Sequence, residues 1–176
     1  MRLYHTGTLI IKDPDLHHGR KNADFGQGFY LTPDRDFTYR WARRDAIVNL
    51  YELDETGLNI HRFTRDIEWF NYIFHNRRVE DTINADVIIG PIANDTIFDT
   101  MGIISSGFLA PEEALKLLLI GPEYTQVAIK SEKAKAQLHW LEAEQITAID
   151  ESLHHQEELA YQKLFAEAMQ KMNDNS

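Results

Sequence analysis

Cysteine is absent from all 176 residues. That removes disulfide bridges, thiol nucleophiles and thiolate metal sites together, and it fits the cytoplasm as the expected compartment. No run of about 18 apolar residues occurs, so neither a membrane-spanning helix nor a membrane partner is expected. The opening Met1-Arg2-Leu3-Tyr4-His5 lacks the apolar stretch of a secretory leader. Positive charge is scarce: 18 Lys and Arg stand against 28 Asp and Glu, a formal net charge of −10. Sequence-independent nucleic-acid binding rests on cations neutralising phosphates, and this balance argues against it. Arg35, Arg40, Arg43 and Arg44 crowd one predicted helix, with Arg62, Arg65, Arg77 and Arg78 further on. They read as solvated faces paired with Asp34, Asp36 and Asp45. A phosphate loop is missing, because Gly26-Gln27-Gly28 lacks the Lys-Ser/Thr ending. His17-His18 and His154-His155 have no regularly spaced third ligand, so no metal is expected.

A hydrophobic content of 43% supports one good core. The chain divides into a domain over 1–149 and a C-terminal helix with its tail over 150–176. Leu3–Thr6 and Phe29–Thr32 read as short strands. Thr32-Pro33 reads as a helix start, Thr at the N-cap and Pro at the first helical position. Val48–Leu53 and Leu58–Phe63 read as strands around a turn at Gly57, and Asp66–Phe74 as a helix. Val87-Ile88-Ile89 is a buried strand stopped by Gly90-Pro91. Pro111 opens a helix running to about Leu119, Tyr124–Lys130 alternates as a strand, and Ser131 starts a short helix or turn. In the C-terminal segment Tyr161, Leu164, Phe165, Ala168, Met169 and Met172 form an apolar stripe at helical spacing.

Two segments carry chemistry. Tyr4-His5-Thr6-Gly7 ends the first strand on a polar imidazole. Asp24-Phe25-Gly26-Gln27-Gly28-Phe29-Tyr30-Leu31-Thr32 is a glycine-punctuated loop delivering a Tyr into the second strand. Together they suit a clamp for a flat nucleotide, since glycine permits close backbone approach and an aromatic ring offers a stacking face.

These segments resemble the first two motifs of the ADP-ribosyltransferase fold. More narrowly, the chain resembles a family of uncharacterised bacterial domains in the ADP-ribosyltransferase clan, through Tyr39–Arg43, Val48–Asp54, Asp86–Asp95 and Tyr124–Lys130 as well. The likeness covers roughly residues 1–145, the size of one ordinary domain. It implies an α+β fold: a split β-sandwich with flanking helices, to which the C-terminal amphipathic helix is added. It also implies NAD as ADP-ribose donor, held without a metal, and a macromolecular acceptor, protein or nucleic acid. A toxin or effector role follows by analogy, with a small inhibitor protein or self-association through the C-terminal helix.

The resemblance assigns roles residue by residue. His5 would meet a ribose hydroxyl, the backbone at Thr6 or Gly7 the nicotinamide carboxamide, and Tyr30 the nicotinamide ring. Gly28 belongs to the same loop. Arg20 would meet the pyrophosphate or remain a solvated loop charge. Asn94 and Asp95 would wall the cleft, or cap a helix beginning near Thr96. Active members of the clan carry a Glu at the start of a late strand. The corresponding residue here is Gln126, whose amide bonds a hydroxyl but supplies no negative charge. His5, Tyr30 and Gln126 are therefore the catalytic candidates for transfer, and a non-catalytic NAD or ADP-ribose module is the alternative.

Overall fold

A computed structural model of the chain describes residues 1–42, 45–79, 81–93, 115–117, 119–146 and 151–174. Strand alternation sorts the first sheet. In β1 (Arg2–Gly7) Leu3 is fully buried and Arg2 exposed. In β3 (Ile47–Leu53) Asn49, Tyr51 and Leu53 turn to that same buried side. The two pair antiparallel, Leu3 opposite Tyr51 and His5 opposite Asn49. β7 (Leu138–Gln145) completes this sheet on the far side of β3.

The second sheet contains β2 (Phe29–Leu31), β4 (Ile60–Arg62), β5 (Val87–Pro91) and β6 (Thr125–Ile129), in the order β2-β6-β5-β4. Its central strands are covered on both faces, which shows as an unbroken apolar run in β5, whereas β6 carries Thr125 and Gln126 ahead of Val127, Ala128 and Ile129. One face meets the first sheet: Phe29, Leu31, Val87, Ile89, Val127 and Ile129 pack with Leu3, Tyr51, Leu53 and Leu138. The other face carries α2 (Ile67–Asn76), whose Trp69, Phe70, Tyr72 and Ile73 cluster with Ile88, Ala128 and Phe25. Asp66 caps α2 by accepting the Trp69 N–H at 3.0 Å. Ser131 does the same for α3 (Glu132–Ala136) through the Ala134 N–H. The architecture is α+β.

The sheets are joined where their edge strands meet. Tyr4 N–H donates to the Thr32 carbonyl at 2.8 Å, and Thr32 N–H to the Tyr4 carbonyl at 2.9 Å. Thr32 is thus a strand bridge, not the predicted helix cap. α1 (Arg35–Trp41) begins later, behind Asp34, whose carboxylate accepts the Thr125 N–H at 2.8 Å instead of capping the helix. Gly90-Pro91 does not stop β5: Gly90 pairs with Gln126 and Pro91 with Thr125. A proline at a strand end forfeits a single ladder donor. β7 has no counterpart in the sequence reading, because its Leu, Glu, Ala and Gln are helix formers. The helix start predicted at Pro111 lies outside the described residues.

α4 (Glu151–Asp174) occupies the predicted C-terminal helix. Its Tyr161 ring lies against Gly121, where an added Cβ would come within 2.9 Å of it. Leu159 and Leu164 are 51% exposed. Among the described residues no helix is long and apolar enough to cross a membrane.

Candidate functional site

His5 sits near the end of β1, its ring centroid 4.5 Å from that of Phe29. Its Nδ1 lies 2.8 Å from the Tyr30 carbonyl oxygen. A carbonyl only accepts, so Nδ1 carries the proton. Burial lowers the imidazole pKa below its usual 6.5, against the opposing effect of that carbonyl. The ring is therefore neutral at pH 7, with Nε2 as an acceptor. Gly7 stands beside it, and a Cβ there would lie 3.4 Å from Nε2. Glycine keeps that nitrogen uncovered.

Thr6 ties its hydroxyl to the Thr38 carbonyl of α1 at 3.2 Å. Its main chain matters more. The Tyr4 N–H and C=O point toward β2, and alternation aims those of Thr6 the same way. Past the Tyr4–Thr32 bridge, no described backbone group pairs with them. Thr6 thus presents a donor and an acceptor beside His5, on the side facing β2.

Tyr30 belongs to the other face of the second sheet. Phe29 and Leu31 turn into the core between the sheets, whereas Tyr30 packs with the cluster under α2. Its hydroxyl donates to the Gly26 carbonyl at 2.6 Å and accepts the Phe25 N–H at 3.0 Å. Burial raises its pKa far above the usual tyrosine value, so the phenol stays protonated. Tyr30 opposes Ala128 in β6, and Gln126 lies two residues further on, on the same face.

Gln126 is 9% exposed. Its Nε2 donates to Asp24 Oδ2 at 3.0 Å and to the Pro91 carbonyl at 3.1 Å. Asp24 in turn accepts Arg77 Nε at 2.8 Å and Arg77 Nη2 on Oδ1. Its main-chain carbonyl accepts Asn76 Nδ2 at 3.1 Å. The adjacent Phe25 carbonyl accepts Lys130 Nζ, which also bonds Asp81 at 2.6 Å. Residues Asp24–Gly26 are therefore fixed between Tyr30 and Gln126. Gly28 follows them with a packing reason of its own, since a Cβ there would lie 2.6 Å from the Ile129 carbonyl.

The structure thus joins His5 to Tyr30 through a main-chain carbonyl, and Tyr30 to Gln126 through the Asp24–Gly26 segment. Arg20 is exposed on the preceding loop. Asn94 and Asp95 lie outside the described residues. Among those described, no group of three or more His, Cys, Asp or Glu could hold a metal ion. Asp24 and Arg77 form the contact that sequence reasoning missed. Arg77 is no solvated helix charge, its side chain being 9% exposed. Arg35 pairs with Glu144 at 3.0 Å rather than with a neighbouring Asp. Asp24 did open the glycine-punctuated segment, but nothing in a sequence ties it to an arginine 53 positions away.

A family described as "Protein of unknown function (DUF3990)" matches residues 1–140. The chain belongs to this family. The matched region contains His5, Tyr30, Asp24, Arg77 and Gln126, and ends within β7 before α4 begins. No curated protein and no solved structure matches the chain.

Proposed function

We propose that the chain is a domain of the ADP-ribosyltransferase clan that binds NAD at the junction of β1 and β2. It transfers ADP-ribose to a macromolecular acceptor. The observation that carries this reading is the split itself. Beyond the Tyr4–Thr32 bridge, Thr6 turns one N–H and one C=O toward β2 with no described backbone partner, next to Nε2 of His5. A primary carboxamide has the complementary acceptor and donor, and a ribose hydroxyl donates to a neutral imidazole nitrogen. That pair of needs is what nicotinamide riboside presents. Tyr30 contributes ring surface, while its bound hydroxyl holds the loop in place.

In this reading the bond between nicotinamide and ribose breaks with its electron pair leaving on nicotinamide. The acceptor nucleophile then attacks the ribosyl carbon and loses its proton. The chain's part is orientation of the two rings and stabilisation of the developing cation. A second reading, a binding module without turnover, is supported by one observation: position 126 holds an amide, engaged on Asp24 and Pro91.

Calorimetry of NAD with the wild type and with Gly7→Ala tests the binding step. The added Cβ makes an ordinary 3.4 Å contact with Nε2 and covers it. The variant is expected to melt like the wild type while binding NAD about tenfold more weakly, the value of one good hydrogen bond. Absence of NAD binding by the wild type would sink the reading. Nicotinamide release in the presence of cell lysate separates transferase from module.

A further inference from the structure

The buried carboxylate that touches Gln126 belongs to no role assigned so far. Both hydrogens of the Gln126 amide are engaged, one by Asp24 Oδ2 at 3.0 Å and one by the Pro91 carbonyl at 3.1 Å. Each partner is purely an acceptor in this arrangement, so the amide orientation is determined. Turned over, its oxygen would face two acceptors. Oε1 therefore points away from both, and no donor among the described residues reaches it. The Pro91 carbonyl also takes Trp69 Nε1 at 3.1 Å, which leaves it little freedom to shift.

Asp24 is fixed in turn. Arg77 holds its other carboxylate oxygen, and Asn76 holds its main-chain carbonyl at 3.1 Å. An anionic acceptor on an amide N–H draws the proton toward itself and pushes electron density onto the amide oxygen. The guanidinium of Arg77 offsets the net charge of Asp24. What passes along the chain Arg77–Asp24–Gln126 is orientation and polarisation, not a free negative charge.

We infer that Asp24 is a positioning residue for hydroxyl recognition: it orients and polarises Gln126 so that Oε1 accepts the 2′-hydroxyl of the nicotinamide ribose. This rests on the NAD reading above. It explains how a neutral amide serves at a position where a carboxylate is otherwise expected. It also reverses the simplest expectation for Gln126→Glu. A carboxylate at 126 would face Asp24 at about hydrogen-bond distance, and like charges that close disfavour each other.

The test uses the whole chain and two probes, NAD and its analogue lacking the 2′-hydroxyl of the nicotinamide ribose. The wild type is expected to prefer NAD by about tenfold, as for one good hydrogen bond. In Asp24→Asn the preference falls to about onefold, because an amide side chain cannot accept from both Gln126 and Arg77 in the same way. The double variant Asp24→Asn/Gln126→Glu exchanges amide and carboxylate. The amide introduced at position 24 would accept from Arg77 and donate to the carboxylate introduced at position 126, which restores the link between the two positions and gives up only the bond to the Pro91 carbonyl. This variant is expected to melt cooperatively and recover the preference, which Gln126→Glu alone does not. A role in packing alone predicts no such recovery. If the wild type binds NAD and prefers the hydroxyl, but Asp24→Asn keeps that preference, the inference fails and the NAD reading stands. If Asp24→Asn does not fold, the double variant decides. Its failure to recover the preference, through misfolding or through binding, overturns the inference. No NAD binding by the wild type overturns both.

Discussion

At His5 the direction of one hydrogen bond decides what the ring can do. Because Nδ1 donates to the Tyr30 carbonyl, the neutral ring has a single tautomer, with Nε2 as its acceptor. Burial holds the folded pKa below 6.5. Between that lowered value and 6.5 the unfolded chain binds a proton that the folded chain does not. Stability therefore rises with pH across this window, is complete above about 6.5, and is lost as pH falls through the folded pKa. His5→Asn keeps an N–H near the carbonyl and removes the titration. Urea denaturation at a series of pH values from 5 to 7.5 is expected to show a shallower slope for this variant. An unchanged slope would assign the dependence to other groups. NAD affinity should weaken below this window, as pH falls through the folded pKa, since a protonated Nε2 no longer accepts a hydroxyl.

Among the elements, the segment Asp24–Gly26 is held from four sides: by Arg77 and Asn76 at the end of α2, by Gln126 and Lys130 at the two ends of β6, and by the Tyr30 hydroxyl. Arg77→Met would leave the Asp24 carboxylate in place, 9% exposed, without its cation. Removing one partner of a buried pair costs about 3–5 kcal/mol. The midpoint of thermal melting should drop accordingly, and amide exchange should rise first at Phe25 and Gly26. Much of this level was legible in the sequence. Asp66 before Ile67 marks α2, Ser131 marks α3, and the double-sided burial of β5 shows as an apolar run. Thr32 was misread because a Thr-Pro pair signals a helix start locally, whereas its main-chain bonds go to Tyr4. β7 stayed hidden because half-exposed strands with Glu142 and Glu144 outward carry a helical composition. His5, Tyr30 and Gln126 were singled out by motif, and the folded chain links them through the Tyr30 carbonyl and the Asp24–Gly26 segment. The Asp24–Arg77 pair was not singled out, since only the folded chain brings a loop and a distant helix end together.

At the scale of the whole molecule, the two main clusters draw on both sheets, α2, α3 and the loop at Leu16 and Phe25, but on none of the described side chains of α4. A chain cut after Ile146 is therefore expected to melt cooperatively, within a few degrees of the full-length midpoint by circular dichroism. Loss of the cooperative transition would make α4 part of the core. The order of strands in the second sheet has a different consequence, concerning synthesis. Tyr30 of β2 pairs with Ala128 of β6, and β2 has no other neighbour within its sheet. A contact so distant along the chain closes late. On the ribosome, the residues around His5 and Tyr30 emerge long before the strand that seats them. The growing chain thus carries the first two motifs before their partner strand exists, and the arrangement around Tyr30 and Gln126 assembles only once β6 has left the exit tunnel.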